Sequence, residues 1–139
     1  NIPIWITEMS TYCGKPSNPL PGMFLKEKSE VDHAAELVKS YVYPLSLGVK
    51  KIFWTYGLVD SHNLGGQGVN NYFDTVGLIH NPLNEGKSHK KLAYYSYKLM
   101  VDKLTGSSNI IPLNLGEGIH AYKYLRDGKS VCVLWYERN

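Results

Sequence analysis

Glu8 closes the apolar run Ile2-Pro3-Ile4-Trp5-Ile6-Thr7, directly before the loop Ser10-Thr11-Tyr12-Cys13-Gly14. A second apolar run, Val49 to Tyr56, ends on Trp54-Thr55-Tyr56. Side by side, an acid and an indole suit a sugar. The carboxylate can attack or stabilise an oxocarbenium-like carbon, while the flat ring stacks on the C–H face of a pyranose. Tyr12 and Tyr56 follow the two runs and are placed to reach a sugar hydroxyl.

The other reactive side chains suggest less. Asp60 reads as a loop turn, with substrate contact as the sharper alternative. His33, His62, His80, His89 and His120 show no His-x-x-x-His spacing, so no metal centre is expected. Gly65-Gly66-Gln67-Gly68 lacks the Lys-Ser/Thr of a phosphate loop and reads as a flexible connection. Cys13 and Cys132 lie in unlike contexts and are expected as free thiols. No cofactor is called for. The net charge of +3 comes from 13 Lys and 2 Arg spread along the chain, not gathered as on a nucleic-acid-binding face. Lys50-Lys51 and Lys90-Lys91 read as solvated element ends. No apolar run reaches the roughly 18 residues of a membrane span, so neither nucleic acid nor membrane is expected as a partner.

These residues need elements to hold them. With 43% hydrophobic and 19% charged residues, the 139-residue chain has the make-up of a folded protein. Ile2 to Thr7 predicts a strand and the Pro- and Gly-rich residues 11–28 a long loop. Ser29-x-x-Asp32 resembles a capping box, and Val31, Ala34, Ala35, Val38, Tyr41, Val42 and Leu45 recur at helical spacing. Pro44 falls in the last turn and Gly48 at the terminator position. Val49 to Tyr56 predicts a second strand, parallel to the first across the helical crossover. Leu92 to Leu104 predicts another helix. Ile110–Leu115, Ile119–Leu125 and Ser130–Tyr136 predict strands, the last two joined by the hairpin signal Asp127-Gly128.

Side chains alternate along a strand. With Glu8 facing an interior mouth, Ile4 and Ile6 turn the same way, and Trp5 and Thr7 face the helices as core. In the second strand an inward Trp54 goes with inward Ile52 and outward Phe53. Glu8 and Trp54 are then expected to share one rim.

Pro3-Ile4-Trp5-Ile6-Thr7-Glu8, Gly48-Val49-Lys50-Lys51-Ile52-Phe53-Trp54 and Leu92-Ala93-Tyr94-Tyr95-Ser96-Tyr97-Lys98-Leu99-Met100 resemble the last two βα units of clan A retaining glycoside hydrolases. So does Asp74 to Ile79 followed by Lys91-Leu92-Ala93-Tyr94-Tyr95, with Lys-Leu where the family has Lys-Pro. The resemblance implies an α/β fold: a partial (β/α)8 TIM barrel over residues 1–106, then the first strands of a C-terminal β-sandwich over 107–139. It implies Glu8 as the catalytic nucleophile and Trp54 as the sugar subsite, with Tyr12 and Tyr56 as substrate-binding neighbours and a carbohydrate as the substrate.

The family's acid/base Glu follows an Asn at the end of strand four. Asn84-Glu85 matches that dipeptide in the wrong place and reads as coincidence, and the Arg that supports the nucleophile has no counterpart near Glu8. A complete (β/α)8 barrel takes about 250 residues, and the sequence lacks an initiator Met. The expectation is a C-terminal fragment that holds the nucleophile, lacks the acid/base and is inactive alone. A non-catalytic carbohydrate-binding or scaffold protein is the alternative. Uncovered strand edges and apolar faces predict self-association.

Overall fold

The computed structural model describes residues 2–16, 24–63, 71–86, 88–107 and 109–137. The Gly65–Gly68 run and Arg138 lie outside them. The order is β1 (Trp5–Met9), α1 (Glu30–Ser46), β2 (Lys51–Trp54), a 3-10 turn (Tyr72–Asp74), α2 (Pro82–Glu85), α3 (Leu92–Leu104), β3 (Asn109–Leu113), β4 (Ile119–Arg126) and β5 (Lys129–Tyr136). β1 and β2 form a two-stranded parallel sheet, and β3-β4-β5 a separate antiparallel one.

This architecture corrects the expected fold. In a closed barrel every strand is hydrogen-bonded on both sides. Here, among the described residues, β1 bonds only β2, β2 bonds only β1, and no barrel forms. The expected sandwich is corrected too. Tyr122 and Tyr124 of β4 pack on Val42, with Val38 and Leu104 alongside, so the second sheet faces α1 and α3.

Local signals account for α1. Ser29 Oγ accepts the Asp32 N–H at 3.1 Å, and the Asp32 carboxylate accepts the Ser29 N–H at 3.0 Å. At the other end Gly48 takes φ +92°. The Gly48 N–H then bonds Leu45 O and the Val49 N–H bonds Pro44 O, both at 3.1 Å, which completes a Schellman cap just past Pro44. One face of α1 (Ala34, Leu37, Tyr41) packs with Leu78 and with Ala93 and Met100 of α3, and Ile52 and Trp54 of β2 lie against this cluster.

The facing of the two parallel strands is the reverse of the expected one. Ile52 and Trp54 point to the helices. Trp5, expected as core, is 50% exposed and meets the half-exposed Phe53 at 6.3 Å between ring centroids. The pairing also separates Glu8 from Trp54. Ile6 aligns with Ile52 and Met9 with Trp54, so Thr7 and Glu8 together stand opposite Phe53. That is a bulge of one extra residue, and it resets the alternation on which the expectation rested.

Candidate functional site

Glu8 lies in this bulge, exposed, and its side chain makes no hydrogen bond or ion pair among the described residues. The strands stay joined beyond it, since the Thr55 N–H bonds Met9 O at 2.9 Å. The chain then turns sharply through Tyr56 (φ +60°) and Gly57 (φ +85°). An aromatic chain begins at this end: Tyr56 on Phe73 at 4.2 Å, Phe73 on Tyr72 at 5.3 Å, Tyr72 on Tyr12 at 5.6 Å. Ser10 Oγ ties it to β1 through the Tyr72 hydroxyl at 3.0 Å.

Of the four residues named from sequence, Glu8 and Tyr56 reach this end with exposed side chains. Tyr12 is buried there, and its hydroxyl donates to Lys26 O at 2.6 Å. Trp54 is not beside Glu8. Its indole N–H donates to Val76 O at 3.1 Å, and its ring stacks on His33 and Tyr41. The aromatic partner that the register gives Glu8 is Phe53, with Trp5 on the same open face.

A second, polar constellation was not foreseen from the sequence. Beyond Gly57, residues 58–60, 78–80 and 89–91 come together: Val59 bridges Ile79 in parallel, and Ile79 bridges Lys90 antiparallel. Asp60, His80, His89 and Lys91 thereby converge from three separate stretches. Gly77 permits the approach, because a Cβ there would stand 2.2 Å from the Asp60 nitrogen. Asp60 Oδ1 accepts from Lys91 Nζ at 2.7 Å and from the Gly77 N–H at 2.8 Å, and Lys91 Nζ also donates to Thr75 O at 3.2 Å. Asp60 Oδ2 lies 3.6 Å from His80 Nδ1, and His80 Nε2 lies 3.3 Å from Glu30 Oε1. The His80 and His89 ring centroids are 4.0 Å apart.

Asp60 is thus a buried ion-pair member and not a loop turn. Lys91, read as a solvated element end, is wholly buried, whereas Lys90 is exposed. A cavity of about 340 Å³ opens beside them, lined among others by Cys13, Lys28, Glu30, Asp60, His80 and Lys91. Burial pushes the Asp60 carboxyl up, against the pull of Lys91, Gly77 and His80. Burial acts to raise Glu30 too, but the Leu92 N–H and His80 outweigh it and hold that carboxyl below its ordinary range. The Cys13 thiol is pushed up by burial, with Lys91 opposing.

The sequence traces of this cluster are Asp60 and a pair of histidines nine residues apart in one loop, which carry no register. Asn84 is bound locally, donating to Ser61 O at 2.8 Å and lying 2.6 Å from His62 Nδ1. Among the described residues no helix is long and apolar enough to cross a membrane. Comparison with protein-family models, with curated proteins and with solved structures finds no match.

Proposed function

We propose that this chain carries the nucleophile of a retaining glycoside hydrolase acting on β-linked sugars, with Glu8 as that nucleophile. The observation that supports it most is the bulge. It leaves Glu8 exposed and, with Thr7, opposite Phe53 in the register, while Phe53 meets the exposed Trp5 and Tyr56 follows the end of β2. An acid with an aromatic surface beside it is the pairing the sequence suggested, with Phe53 and Trp5 in place of Trp54.

In the double displacement, a Glu8 carboxylate oxygen bonds the anomeric carbon as the bond to the leaving oxygen breaks. That oxygen takes a proton from a second carboxyl, and water then cleaves the glycosyl ester. No second carboxyl is assigned to that role among the described residues, so this chain is not expected to turn over ordinary glycosides.

An activated probe tests the nucleophile without that acid. Incubation with 2,4-dinitrophenyl 2-deoxy-2-fluoro-β-xyloside and β-glucoside is expected to add one fluoroglycosyl mass on the peptide containing Glu8, and Glu8→Gln is expected to abolish it. Absence of any adduct overturns the assignment. The exposed Trp5–Phe53 pair also favours a second reading, a non-catalytic carbohydrate-binding protein. That reading predicts oligosaccharide quenching of tryptophan fluorescence that survives Glu8→Gln, with no adduct.

A further inference from the structure

We propose that Glu30, His80 and His89 form a binding site for one divalent transition-metal ion of the zinc type, which ties the start of α1 to the segment leading into α3. The inference stands apart from the glycosidase reading and uses none of its residues. The three side chains come from the first residue of α1 and from two stretches of the 78–91 segment, yet one potential ligand atom from each lies within 4.8 Å of the others. The donor set of two imidazoles and a carboxylate is the type that zinc takes with three protein ligands and one open position.

One of the three spacings already matches a zinc site. Zinc bonds of about 2.0–2.2 Å in a tetrahedron place neighbouring donor atoms about 3.3–3.6 Å apart. His80 Nε2 and Glu30 Oε1 are 3.3 Å apart. His89 is exposed, so its side chain has room to complete the set and the ion a route from solvent.

What surrounds the three donors supports the same conclusion. A metal-bound imidazole commonly has a carboxylate behind its other nitrogen, which fixes the ring. Asp60 Oδ2 stands 3.6 Å from His80 Nδ1, and Asp60 is itself held by Lys91 and by the Gly77 N–H. The second oxygen of Glu30 accepts the Leu92 N–H at 2.7 Å, so the carboxylate is fixed from its far side. Glu30 and His80 also border a cavity of about 340 Å³, which gives space for a non-protein ligand.

The test uses the full chain, treated with chelator and titrated with zinc chloride by calorimetry and thermal melting, with cobalt(II) as the spectroscopic stand-in. Expected are one equivalent bound, a midpoint raised by roughly 5–10 °C at a hundredfold excess over Kd, and the intense visible bands of tetrahedral cobalt. His89→Ala changes only an exposed side chain and is expected to weaken binding at least about a hundredfold. Asp60→Asn is expected to weaken it by about ten- to a hundredfold, and His120→Ala, in the other sheet, to leave it unchanged. No zinc-dependent heat or melting shift, or equal binding by wild type and His89→Ala, overturns the site.

Discussion

His33 lies wholly inside the protein, stacked on Trp54 with ring centroids 6.2 Å apart, and neither ring nitrogen has a hydrogen-bond partner among the described residues. A charged imidazole there would lose its hydration with nothing in return. Burial, with Lys91 acting the same way, drives its pKa down to about 4 from an ordinary 6.5, while Glu36 and Glu30 oppose and Lys28 adds a little. The unfolded chain therefore binds a proton near pH 6.5 and the folded chain only near 4, so stability is complete above that window and falls as pH drops through it. Between pH 7 and pH 5 the loss from this one group is about 2 kcal/mol. His33→Phe, which keeps a flat ring and removes both nitrogens, is expected to reduce the pH dependence of stability by that amount. Urea denaturation of both proteins at the two pH values measures it. An unchanged difference would show that His33 finds a partner when protonated.

At the scale of elements, α1 shows how far local chemistry dictates structure. Its N-terminal box and its C-terminal Gly48 act on opposite ends of a 17-residue helix, about 25 Å apart. Ser29→Ala removes the acceptor for the Asp32 N–H and is expected to cost about 1 kcal/mol. Gly48→Ala meets no atom within 4 Å, so its expected cost of about 1 kcal/mol is purely the left-handed backbone at φ +92°. With no shared partner the two costs should add, so the double variant is expected to lose about 2 kcal/mol in denaturant melts. The same local character made these features legible. Ser29-x-x-Asp32, Pro44 before Gly48, and Asp127-Gly128, whose residues both take positive φ in the β4–β5 turn, each act over a few residues. The helix Leu92–Leu104 also has its expected limits. Strand facing was not legible in this way. Alternation leaves two opposite solutions, and the extra residue between Ile6 and Met9 separates Glu8 from Trp54 in either of them. The Asp60–His80–Lys91 cluster was hidden for a different reason. It depends on the backbones of Gly77 and Asp60 meeting, which no spacing along the chain encodes.

The whole molecule buries two apolar clusters against α1, one toward α3 and β2 and one toward the antiparallel sheet, with Val38 and Leu104 touching both. What it leaves uncovered is the other face of the parallel sheet. Trp5 and Phe53 are 50% and 47% exposed there, partly screened by Lys51, whose Nζ lies 4.4 Å from the Trp5 ring centroid. Neither β1 nor β2 has a second hydrogen-bonded neighbour among the described strands. Apolar area returned to water costs about 25 cal/mol per Å², and contact between two such faces recovers it. Exposed strand edges add hydrogen bonds that a second molecule can satisfy. The expected behaviour is self-association that rises with concentration in light scattering. Trp5→Lys with Phe53→Glu is expected to suppress it, because both side chains point away from the Ala34–Leu37–Met100 core. The melting midpoint in dilute solution should then change little. Wild type that stays monomeric at high concentration would overturn this expectation, and a double variant that associates equally would place the driving surface elsewhere. The exposed Leu134 and Tyr136 of β5 are then the next to change.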